Sequence, residues 1–104
     1  MLRVISNLLD NAAKNTPPGG RVSLQAKAKD KAVVIMISDT GRGIPQEHIN
    51  HIFERFYKVP SSSDGNDGYG LGLSICKSIV VSSGGEISAE SEPSKGSIFT
   101  IRLP

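Results

Sequence analysis

Asn7, Asn11 and Lys14 are the first residues along the chain whose types and spacing could do chemistry. Asn7 and Asn11 stand four apart and Lys14 three further on, so on a helix all three project from one face. Asparagine is a poor helix former in an interior position, and two on one stripe call for a reason. A neutral amide oxygen could complete the coordination of a Mg²⁺ ion already held by phosphates, with Lys14 adding a point charge for those phosphates. A polar solvent face that happens to align would give the same pattern.

The second group is "DTGRGIP", residues 39 to 45. A carboxylate at a strand end accepts a hydrogen bond from an exocyclic amino group and repels a base that presents a carbonyl there, so Asp39 would choose adenine over guanine. Gly41 and Gly43 leave the backbone bare enough for a ligand to approach. Taken alone, Asp-x-Gly-x-Gly is also an ordinary tight turn with an Asx cap. In the third group, "GYGLGLSI", Gly68, Gly70 and Gly72 alternate just before a helix. Bare N–H groups at a helix start suit the α- and β-phosphates of a nucleotide, although a flexible hinge would also use such glycines.

The elements that must position these groups follow from periodicity. Leu2, Ile5, Leu8, Leu9, Ala12 and Ala13 recur at helical spacing up to Lys14, and "TPPGG" (16–20) ends the helix. Arg21 to Lys29 alternates as a half-solvated strand with Val22, Leu24, Ala26 and Ala28 on one face. Asp30-Lys31 turns it into "AVVIMI" (32–37), an apolar run that reads as a strand buried on both faces. Pro45 suits the first position of a short helix carrying Ile49, Ile52, Phe53 and Phe56. "SSSDGNDGYG" (61–70) reads as a mobile loop.

Leu71 to Ser83 reads as a helix with Leu71, Ile75, Ile79 and Val80 inward, stopped by Gly84-Gly85. Glu86 to Ser91 and Ser97 to Leu103 alternate as two strands around "EPSKG". The order predicts an α+β fold: a two-layer sandwich of a mixed, mainly antiparallel sheet with helices on one face. No internal boundary divides residues 1–104.

At 104 residues the chain is one domain, large enough for a single core. The net charge of +2 comes from 12 basic and 10 acidic residues that are interspersed, which argues against nucleic acid as a partner. Cys76 stands alone, which excludes an internal disulfide and a thiolate zinc cluster and suits a reducing cytosol. No stretch approaches the roughly 20 apolar residues of a membrane helix, so a cytoplasmic domain without direct membrane contact is expected, while a parent anchored in the inner membrane stays open. The helix that begins without a capping residue suggests a fragment.

Together the pieces occur in the order of one family. The chain resembles the ATP-binding catalytic domain of sensor histidine kinases, in the GHKL (HATPase) superfamily that also holds gyrase and MutL ATPases. "NLLDNAAKNTP" is similar to the N box, "DTGRGIP" to the first glycine box, "IFERFY" to the F box and "GYGLGLSI" to the second glycine box, with "KGSIFTIRLP" as the closing hairpin. The resemblance covers nearly the whole chain and implies a Bergerat-type ATP-binding fold.

Carried over, it implies ATP and Mg²⁺ as cofactors: Asn11 as metal ligand, Asn7 supporting it directly or through water, and Lys14 on phosphate. Asp39 would bind the adenine amino group, with Gly41, Gly43 and Ile44 beside the base. Residues from Tyr57 to Gly70 would form a lid, with Lys58 toward the γ-phosphate and Gly68 in its glycine box. Gly70, Leu71, Gly72 and Leu73 would meet the phosphates. The chain departs from the common pattern at Asn15, where many relatives carry an aromatic, at Lys58, where many carry arginine, and at Tyr69, where a small residue is usual.

The function so implied is histidine protein kinase activity: binding Mg-ATP and donating the γ-phosphate to a histidine on a separate dimerisation/phosphotransfer domain, and thus indirectly serving a response regulator. His48 and His51 lie within "QEHINHIFERF", the wrong context for that acceptor, so the module should not autophosphorylate alone. A stand-alone GHKL protein-serine kinase of the anti-sigma-factor type and a nucleotide-binding regulatory pseudo-kinase are the other readings.

Overall fold

The computed structural model describes residues 2–41, 43–44, 46–54, 71–92 and 95–104. Helix α1 spans Leu2–Asn15, strands β1 and β2 span Val22–Lys29 and Ala32–Asp39, and helix α2 is the short Gln46–Ile49. Helix α3 covers Leu71–Ser82, followed by β3 (Glu86–Glu92) and β4 (Gly96–Leu103). The sheet order is β1-β2-β4-β3 and all three pairings are antiparallel. Among the described residues, no helix is long and apolar enough to cross a membrane.

The core lies between the helices and one sheet face. Val4, Leu8 and Ala12, one turn apart on α1, pack with Leu73, Cys76 and Val80 of α3 over Ile35, Ile37, Phe99 and Ile101. The inward stripes differ from those predicted. On α1, Val4 is fully buried whereas Leu2 is 79% exposed. On α3, Leu73 and Cys76 take the buried positions, and Ile75 and Ile79 are only half-buried. Apolar residues outnumber the positions facing the sheet on both helices, so composition left the phase of the stripe open.

Two strand expectations are corrected. β2 is not buried on both faces: Ile35 and Ile37 face the helices, Val34 and Met36 on the opposite face are half-buried, and Val33 is 40% exposed. The helices cover one side only, so a continuous apolar run here marks a central strand and not a two-sided core. β1 is exposed along its whole length, Leu24 at 50%, because it is an outer strand that the helix layer touches only slightly.

The aromatic helix is also shorter than expected. α2 ends at Ile49, and tighter turns follow, with His51 N–H donating to the His48 carbonyl (2.8 Å) and Glu54 N–H to the His51 carbonyl (2.9 Å). Asn50 and His51 favour that break. Ile52 still reaches the core, and the Phe53 ring meets Phe99 edge-on at 6.2 Å between centroids. Phe56 lies outside the described residues.

Candidate functional site

Asp39 ends β2 and is 7% exposed. Strand register places Ser97 of β4 directly across from it. Asp39 Oδ1 accepts from the Gly41 N–H at 2.9 Å, closing an Asx turn, and Oδ2 accepts from Ser97 Oγ at 3.1 Å. A buried carboxylate needs such donors. Two bonds leave lone pairs on both oxygens for a further donor.

The glycines have separate reasons. A side chain at Gly41 would collide with the backbone carbonyl of Asn15, so the bare turn lets the Asp39 loop press on the end of α1. Gly43 has φ 72°, the left-handed region. Ile44 is fully buried; its N–H donates to Ser91 Oγ at 2.6 Å, and Ser91 Oγ donates to the Gly96 carbonyl at 3.0 Å. Gln46 Nε2 adds a bond to the Ser91 carbonyl at 2.9 Å. The last residues of β3 thereby fix the exit of the glycine turn.

On α1, Asn7 and Asn11 are half-buried and flank the core stripe, and Asn15, one turn further, is buried against Gly41. Lys14 is exposed in the last turn, where its charge also complements the helix C-terminus. Asn7 Nδ2 donates to Cys76 Sγ of α3 at 3.7 Å, and Cys76 Sγ lies 3.9 Å from the Val4 carbonyl. Burial pushes the Cys76 thiol above its ordinary range, against the weaker opposing effects of the Asn7 hydrogen bond and Arg3.

The asparagine helix and the acidic turn therefore meet through Asn15 and Gly41. Leu71 opens α3, and the Leu73 side chain two residues on is fully buried in the core. Tyr57, Lys58, Gly68 and Gly70 lie outside the described residues. Asp39 also borders an open cleft of about 470 Å³ with Arg21, Ser38, Thr40, Glu90 and Lys95, which no α1 asparagine lines. His51 Nδ1 sits 2.6 Å from Glu54 Oε2, a local pair on a half-exposed surface.

Sequence reasoning missed Ser97 and Ser91. The signal for Ser97 was its alternation with Phe99 and Ile101 in a strand that pairs with β2; the register that sets it against Asp39 is a tertiary fact.

All 104 residues match the family described as "Histidine kinase-, DNA gyrase B-, and HSP90-like ATPase". The chain belongs to this family, as a catalytic ATPase domain of the histidine kinase type. It is 43% identical over 105 residues to the sensor protein SrrB of Staphylococcus aureus, covering 100% of this chain and 18% of that protein. The chain thus spans about a fifth of the length of the curated relatives it matches.

Among solved structures, the mycobacterial sensor histidine kinase MprB superposes with a TM-score of 0.84 at 38% identity, over 98% of this chain and 70% of that one. The catalytic domain of histidine kinase ThkA gives 0.82 at 30%, over 98% and 65%. Full-length ShkA, solved in complex with AMPPNP, gives 0.83 at 32%, over 98% and 20%.

Proposed function

We propose that this domain binds Mg-ATP and donates the γ-phosphate to a histidine on a separate dimerisation/phosphotransfer domain, from which a response regulator would be served. The observation that carries the reading is the buried Asp39 carboxylate, oriented by Gly41 N–H and Ser97 Oγ at a turn where Gly41 carries no side chain. Such a group accepts from the adenine amino group and opposes the guanine carbonyl.

On this reading Asn11, with Asn7 beside it, faces the metal and Lys14 the phosphates. The donor set fits a hard cation held mainly through phosphate oxygens: carboxamides are present, and among the described residues no cluster of three or more His, Cys, Asp or Glu could cage a metal. Bound Mg²⁺ would neutralise charge on the transferring phosphoryl group. The protein's own share is positioning: Asp39 fixes the base, the α3 N-terminus offers N–H groups to phosphates, and Lys58 is proposed for the γ-phosphate.

Thermal melts test this. Mg-ATP should raise the melting temperature and Mg-GTP much less, and Asp39→Asn should erase the difference. The asparagine variant keeps an acceptor for Gly41, so loss of folding is not built into the comparison. Equal stabilisation of the parent protein by both nucleotides would overturn the assignment of Asp39.

A further inference from the structure

Cys76 is completely buried on α3, where that helix packs against α1. The Val4 carbonyl can only accept, so it takes the thiol hydrogen. The sulfur is then left as an acceptor, and of the two ends of the Asn7 carboxamide only Nδ2 can donate to it. This chain of donors and acceptors fixes which way the amide is flipped. Among the described residues, Asn7 Oδ1 has no hydrogen-bond partner.

We infer that Cys76 is a positioning residue: by taking Nδ2 of Asn7, its sulfur holds the amide oxygen available to the metal side of the nucleotide site. The inference rests on the proposed Mg-ATP site. It also ties the two helices of that site through one atom, since Cys76 lies one turn beyond Leu73 at the start of α3. Partners that orient ligands from behind typically matter about 10- to 100-fold for metal affinity, and a weak sulfur acceptor belongs at or below the low end.

The test is a calorimetric titration with a non-hydrolysable ATP analogue, with and without Mg²⁺, on the parent protein, Cys76→Val and Cys76→Ser. Packing alone predicts that valine is tolerated in this apolar seam and serine harms it. Positioning predicts the reverse for one quantity, the gain in affinity on adding Mg²⁺. That gain should fall about three- to tenfold in Cys76→Val and stay within about twofold in Cys76→Ser, while affinity without Mg²⁺ changes little in either.

A full Mg²⁺ gain in Cys76→Val, or equal loss in both variants, would overturn the inference while leaving the nucleotide site intact. No Mg²⁺-dependent binding by the parent protein would instead overturn the site and the inference with it. Should valine unfold the chain, Cys76→Ala removes the acceptor without added bulk. The NMR signals of the Asn7 side-chain amide supply a second readout: they should shift in Cys76→Ala, and unchanged signals would count against the contact.

Discussion

Asp39 is a carboxylate whose environment is built by a near neighbour, Gly41, and by a residue far along the chain, Ser97. Removing one donor should therefore be felt both in stability and in base recognition. Ser97→Ala leaves Oδ2 without its partner and should cost about 1–2 kcal/mol in a denaturant titration, with weaker ATP binding as a second effect. Cys76 makes a separate prediction at this scale. Its thiol is raised in the folded chain and ordinary, about 8.5, in the unfolded one. Between those values the unfolded state has lost a proton that the folded state keeps, so stability falls as pH rises above about 8.5. Melting curves from pH 7 to 10 should show that decline, and Cys76→Val should lessen it.

The elements are locked together by backbone contacts that tolerate no added atoms. Gly41→Ala drives a methyl group into the Asn15 carbonyl at the end of α1 and should lower stability by about 2–4 kcal/mol, as expected where backbone must shift. Because the same contact joins the asparagine helix to the acidic turn, nucleotide binding should fall in the same variant. Ser91→Ala removes the acceptor for the Ile44 N–H and the bond to Gly96, and should cost about 1–2 kcal/mol, seen as faster hydrogen exchange at Ile44. Helix ends and hairpin turns were readable because Pro17, Pro18, Gly84 and Gly85 cannot continue a helix and Asp30-Lys31 takes a two-residue turn with φ of 52° and 66°. The inward faces of α1 and α3 were not, because both carry more apolar residues than one stripe requires.

For the whole molecule, the domain is one layer of helices on one face of a four-stranded sheet, and the relatives it matches are several times longer. On the proposed function, labelled ATP mixed with this chain alone should label nothing, whereas adding a histidine-bearing dimerisation/phosphotransfer domain should yield an acid-labile, base-stable phosphohistidine. Label on a serine of an added partner would favour the protein-serine kinase reading instead. Sequence by itself determined the family, because four motifs in one order are a local record that folding does not rearrange. It also determined the element types, through periodicity and the residues that break it. Only the tertiary structure decided that β1 is an exposed outer strand, that Ser97 stands opposite Asp39, that Gly41 meets Asn15 and that Cys76 faces Asn7. Each of those depends on how segments distant in the chain come together, through strand order, strand register and helix rotation, and none of these quantities is written in any single segment.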